Sequence, residues 1–148
     1  MSRKSQLSSI KSIAKAREED AARILAQTLD RKSQAEQRLV DLVGYREDYE
    51  SRLKLSYSQN GAYIEQLREG RAFVEKLSEA IRLQQQQIHG IAQELDRQLN
   101  SWRSTHASHK ALSSLLERYR KEAARVSERR MDAETEDAFN SRYAARLR

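Results

Sequence analysis

From Leu67 onward the chain steps by three and four residues through Leu67, Gly70, Val74, Leu77, Ile81, Gln84, Ile88, Ile91, Leu95, Gln98, Trp102, Thr105, His109, Leu112, Leu116, Tyr119, Ala123, Val126, Arg130 and Ala133, and fourteen of these twenty positions are apolar. This is the spacing of a helix that buries one narrow stripe. Over such a length it demands a second helix alongside, because a lone helix would leave the stripe in water. No proline interrupts it: the 148 residues contain none, and only four glycines, so helix ends must be few. With 38% hydrophobic and 34% charged residues there is too little apolar material for a broad core but enough for a seam. The expected fold is all-α: two long helices forming an antiparallel coiled-coil hairpin, the second longer than the first.

The first helix is less regular. Leu7, Ile10 and Ala14 lead into Ala21, Ile24 and Leu25, and then into Leu29, Leu39, Leu42, Val43, Tyr45, Tyr49 and Leu53, a spacing that implies one slip of register. The polar cluster of Gln98, Thr105 and His109 around Trp102 marks a looser, wetter part of the second seam. Between the helices, Asn60-Gly61 is the one convincing turn signal. The expected organisation is a single elongated hairpin over 1–148, with helix one at about 5–54, a turn at about 55–62, helix two at about 63–140 and a tail at 141–148. A short connection makes the helices antiparallel neighbours. A bend near residue 58 would set Tyr45 near Ala72, Ile24 near Gln93 and Ala14 near Arg103. Everything beyond about Glu117 would then overhang, and the seam residues Tyr119, Ala123, Val126 and Ala133 would await a partner or fray.

Charge gathers at the same end. Arg3, Lys4, Lys11, Lys15 and Arg17 precede the first acid, and from 103 to 130 eight Lys or Arg face three Glu. With a net charge of +6, this end should steer towards an acidic surface or pore, although a solvated helical face gives similar counts. There are no cysteines, hence no disulfide and no thiolate metal site, which fits a reducing cytosol. Residues 1–15 lack a continuous apolar stretch, and no segment approaches the ~20 apolar residues of a spanning helix, so neither a secretory signal nor a membrane span is expected.

Catalysis is not expected, since two packed helices offer little concavity in which groups could converge, and no cofactor is implied. His106 and His109 stand at i and i+3 on one helical face, but His109 falls on the seam and spacing supplies no third metal ligand. The run Gln84 to Gln87 reads as a solvated face, and no glycine-rich phosphate loop is present. Aromatic residues are more informative. A stripe through Phe73, Leu77, Ala80 and Gln84 flanks the second seam, and one through Arg38, Leu42, Tyr45 and Tyr49 flanks the first. The hairpin brings both to one level, giving either a composite aromatic patch or a pair of tyrosines packed into the seam.

Several segments resemble the FliJ family of the flagellar type III export apparatus: Asp20-Ala21-Ala22-Arg23-Ile24-Leu25, Leu42-Val43-Gly44-Tyr45-Arg46-Glu47-Asp48-Tyr49, Phe73 to Ile81, Leu99-Asn100-Ser101-Trp102-Arg103, and Arg130-Met131-Asp132 followed by Asp137, Phe139 and Ala144. Their order and spacing carry the likeness. The resemblance implies a non-enzymatic, stalk-like rod whose paired termini enter the hexameric export ATPase FliI, acting with its regulator FliH, and promote ring assembly and activity. It further implies contact with the export-gate membrane protein FlhA through Leu42, Tyr45, Tyr49, Phe73, Leu77 and Ala80, and binding of flagellar export chaperones. The ring-facing candidates are Leu7, Ile10, Tyr119, Val126, Arg129, Arg130 and Met131. A cytoplasmic site at the inner face of the cell membrane, at the flagellar base, would follow. Two other readings stay open. One is the equivalent stalk of a virulence-type secretion system, and the other is a basic coiled coil binding nucleic acid, which predicts steeply salt-dependent binding and is otherwise not expected.

Overall fold

The structure is a computed structural model that describes residues 3–60 and 64–147. It contains two α-helices, α1 (Arg3–Asn60, 58 residues) and α2 (Ile64–Arg146, 83 residues), packed against each other as the sequence predicts. Both helices outrun their expected ends. The stretch 55–60, read as the start of the turn, continues α1, and most of the expected tail at 141–148 continues α2. Leu55, Ser56 and Tyr57 do not break a helix already propagating, because one more residue costs little once the nucleus exists. Gly61 and Ala62, the rest of the expected turn, lie outside the described residues.

The chain divides into two packed units, Asp20–Trp102 and a second that joins Met1–Glu19 to Arg103–Arg148; α1 and α2 contribute to both. In the Asp20–Trp102 unit the helices run antiparallel. Leu53 lies against Gly70, Tyr49 against Phe73, Arg46 against Ser78 and Arg31 against Glu94. These contacts correct the expected register. The reversal lies beyond Asn60 and not near residue 58, so Tyr49 rather than Tyr45 sits beside residues 72–73. Likewise Arg31, not Ile24, meets the stretch around Gln93. Placing the bend too early shifted every expected pair towards the α1 N-terminus.

The α2 seam is as expected in this unit, with Gly70, Ile81 and Ile91 buried and Leu67, Val74, Leu77, Gln84, Ile88, Leu95, Gln98 and Trp102 half-buried. On α1, Ala21, Leu25, Thr28, Lys32, Ala35, Leu39, Leu42, Arg46, Tyr49 and Leu53, all buried or half-buried, step strictly by four and three, and Ile24, Val43 and Gly44 are half-buried beside them. No register slip occurs, and Leu29 points outward at 50% exposure. The regular seam was hidden because polar residues occupy part of it. Thr28 is only 1% exposed, and its hydroxyl donates to the Ile24 carbonyl at 3.1 Å. The amide of Gln84 donates across to the Ala35 carbonyl at 2.9 Å. Thr28 and Gln84 thus keep a partner, which removes most of the penalty for burying them, whereas Gln98 Oε1 is buried without one. Ala35, 2% exposed, and Gly70 are the small residues over which the opposite helix closes.

In the terminal unit α1 contributes Leu7, Lys11, Ala14 and Glu18, and α2 contributes Thr105, His109, Leu112, Leu116 and Tyr119, all buried or half-buried. Ala14 lines a shallow groove with Ser104, Thr105, Ser108 and Leu112, so its level on α2 extends past the expected Arg103. Every residue from Arg120 to Leu147 is exposed. Among the described residues no helix is long and apolar enough to cross a membrane.

Candidate partner-binding surfaces

Two sets of residues stand out as surfaces, one in each unit. In the Asp20–Trp102 unit, Leu42, Tyr45 and Tyr49 follow one another by three and four on α1, and Phe73, Leu77 and Ala80 do the same on α2. The contacts Tyr49–Phe73, Arg46–Ser78 and Gln84–Ala35 bracket all six, so the two stripes share one level. The Tyr49 and Phe73 rings meet with centroids 4.7 Å apart at 50°, a tilted aromatic pair. Leu42, Tyr49, Leu77 and Ala80 are half-buried, whereas Tyr45 is 63% and Phe73 45% exposed. The group is therefore divided: Tyr49 belongs to the seam, Phe73 packs its tilted ring against Tyr49 while staying partly exposed, and Tyr45 is mostly exposed. Of the residues that extend these stripes, Arg38 is exposed and Gln84 is engaged with the α1 backbone.

In the terminal unit the ring-facing candidates do not form one cluster. Leu7 is half-buried and Ile10 lines the groove with Ala14 and Leu112. Tyr119, Val126 and Arg130 line a separate open groove with Glu122, Ala123 and Ser127, and Met131 belongs to a third with Ala138 and Phe139. Arg129 is exposed, as are Arg120, Lys121 and Arg125. Tyr119, Ala123 and Val126 carry the seam spacing past the last buried residue, Leu116. Val126 is 46% and Met131 65% exposed, a large apolar area for a helix with nothing against it.

Sequence reasoning missed Glu18. Its carboxylate spans the two helices and accepts hydrogen bonds from His106 Nδ1 at 2.9 Å and His109 Nδ1 at 2.5 Å. An ionised carboxylate only accepts, so both imidazoles must present Nδ1–H. The hydrogen bond from His106 holds the Glu18 carboxyl below its ordinary range; partial burial opposes the shift, and the bond from His109 adds to it. The signal lay in the i, i+3 histidine pair, but only the correct register places an acid across from it. Among the described residues no group of three or more His, Cys, Asp or Glu side chains is arranged to hold a metal ion.

These features define a two-helix antiparallel coiled coil in which the second helix outlasts the first and ends in an uncovered, apolar and charged extension. The chain belongs to the flagellar FliJ family, whose model matches residues 3–147. It is 33% identical over 140 residues to the flagellar FliJ protein of Escherichia coli (strain K12), covering 95% of this chain and 94% of that one. To the flagellar FliJ protein of Salmonella typhi it is 31% identical over 146 residues, with 99% and 98% covered. No solved structure matches the chain.

Proposed function

We propose that this chain is a non-enzymatic component of the flagellar type III export apparatus, a coiled-coil stalk that enters the hexameric export ATPase ring and links it to the export gate. The observation that carries the reading is the bare end of α2. From Arg120 to Arg146 the helix continues with no covering element, and it exposes Val126, Met131 and Phe139 among both bases and acids. Membership of the flagellar family over nearly the whole chain selects the apparatus. An exposed apolar stripe whose first part, 118–130, carries six Lys or Arg against two Glu is suited to a narrow pore with acidic walls, where burial of the stripe supplies affinity and charge supplies steering.

The gate contact is assigned to Tyr45, Phe73 and their neighbours Leu42, Tyr49, Leu77 and Ala80. Partly exposed aromatic residues on a rigid two-helix scaffold are the kind of anchor that carries binding energy. In this reading the ATPase is FliI with its regulator FliH, the gate protein is FlhA, and export chaperones use surfaces that no residue here identifies. The protein acts at the cytoplasmic face of the membrane, and no covalent chemistry is asked of it. Mixing the full chain with the flagellar export ATPase should increase ring formation and hydrolysis. No change in either removes the stalk reading. Stimulation of a virulence-type ATPase in preference to the flagellar one would favour the related secretion system instead.

A further inference from the structure

In the terminal unit the two flanks of the seam differ in chemistry. One flank is polar and exposed, with Lys4, Ser8 and Lys15 on α1 and His106, Lys110 and Glu117 on α2. On the other, α1 steps by three and four through Ile10, Ile13 and Arg17, and α2 through Ser104, Ser108, Ala111 and Leu115. Ile10, Ile13 and Arg17 line one groove together with Ser104 and Ser108, which places both lines on the same side of the helix pair. Ile10 is 48%, Ile13 53% and Leu115 37% exposed. A pair of helices that is charged on one flank and leaves aliphatic side chains bare on the other has room for a third helix. Serine and alanine on the α2 wall let a helix axis approach closely, and the isoleucines of the α1 wall give its apolar side chains a surface to cover.

Arginine stands at both ends of this groove. Arg17 lines one end, and Arg3 and Arg118 continue the two lines at the other. Neither line contains an acid. Glu18 is turned to His106 and His109, Asp20 is held by Arg23 at 2.6 Å, and Glu122 lines the neighbouring groove with Tyr119 and Val126. Among the described residues none of the three arginines forms an ion pair within the chain. We propose that the groove receives an amphipathic helix of another protein, about four turns long, with acidic residues at both ends of its apolar stripe. Side chains at i, i+3, i+4 and i+7 of that helix lie over Ile10, Ile13 and Leu115. Its carboxylates meet Arg17 at one end and Arg3 and Arg118 at the other, where the guanidinium fork favours a carboxylate. A nucleic acid would answer the arginines but leave the isoleucines bare. The inference goes beyond the export reading: of the ring-facing candidates it uses only Ile10, and it asks nothing of the ATPase or the gate.

The probe is a stapled helical peptide of about 16 residues with leucines along one face and glutamates beside them, compared with a matched peptide carrying lysine in place of glutamate. The fluorescence anisotropy of each labelled peptide is followed as full-length protein is added. The glutamate peptide should bind about tenfold more tightly than the lysine peptide. Its binding should weaken about tenfold or more in Ile10→Ser/Ile13→Ser and in Arg17→Glu/Arg118→Glu. Ser108→Trp, which fills the groove from an exposed position, should give the same loss without touching the isoleucines or arginines. Lys15→Glu/Lys110→Glu changes the net charge equally on the other flank and should leave the affinity within about twofold. Circular dichroism shows that each variant is helical. A glutamate peptide that does not bind, equal binding of the two peptides, or equal losses in the two charge variants would overturn the proposal. So would self-association that Ile10→Ser/Ile13→Ser abolishes in a protein that ignores the peptide, a result that assigns the groove to a second copy.

Discussion

Glu18 shows how one side chain can tie two helices together, and its protonation state makes the tie dependent on pH. Its carboxyl is held below the ordinary range by the hydrogen bond from His106 and, less strongly, that from His109. A depressed carboxylate contributes stability that is complete above its unfolded value, ~4.3 for a glutamate, and is lost as pH falls through the folded value. Glu18→Ala should therefore lower the thermal midpoint at pH 7. The gap between variant and wild type should close in acid below the ordinary carboxylate range, as followed by circular dichroism. A gap that stays constant with pH would show that Glu18 acts through packing alone. At the other surface, Tyr45 and Phe73 differ in what they hold. Tyr45→Ala should change stability by less than about 0.5 kcal/mol, as for an exposed position away from packing. Phe73→Ala forfeits the ring contact with Tyr49 and should cost about 1 kcal/mol without loss of helicity. Both should weaken binding to the cytoplasmic part of the export gate in a pull-down. Collapse of the helical signal in either variant would instead mark these residues as core.

At the level of the helices, small residues and isoleucines carry the packing. Ile91 is 8% exposed on the α2 seam, and Ile91→Ala should lower the unfolding free energy by about 2–4 kcal/mol in denaturant titrations. Its neighbour Gly90 has nothing within 4 Å of where a Cβ would stand, so Gly90→Ala should raise stability by up to about 1 kcal/mol through helix propensity alone. Gly70→Ala should not share that gain. A Cβ there would come within 2.5 Å of Leu53 Cδ2, and the displaced leucine offsets the gain in propensity. The α2 seam was legible from Leu67 to Tyr119 because apolar residues mark it at almost every step. The α1 seam was not, because Lys11, Glu18, Thr28, Lys32 and Arg46 occupy positions that a search for apolar residues passes over. Reading Leu29 in place of Thr28 then created an apparent slip. The bend was misplaced for a related reason: Ser56, Ser58 and Gln59 resemble turn residues, yet none of them terminates a helix by its own backbone. Of the candidate surfaces, the exposure of Tyr45 and Phe73 followed from their offset beside the seam. The Glu18 link depended on a register that spacing alone could not fix.

For the whole chain, the two candidate surfaces fall in different packed units, which makes their functions separable by mutation. None of the residues from Arg120 to Leu147 is buried, so deleting 120–148 removes no core and should leave the remaining helical hairpin melting within a few degrees of the full chain. It does remove Val126, Met131 and the bases that follow Tyr119. The deletion should therefore abolish stimulation of the export ATPase while preserving binding to the gate through Tyr45 and Phe73. The double variant Tyr45→Ala/Phe73→Ala should behave in the opposite way, stimulating the ATPase and failing to bind the gate. Measuring ATP hydrolysis and gate pull-down on both proteins gives four readings, and a linking role requires this crossed pattern. If the deletion still stimulates the ATPase fully, the free end of α2 is not what enters the ring, whatever the gate result. If instead both variants lose both activities while staying helical, the surfaces are not independent, and assigning one partner to each unit fails.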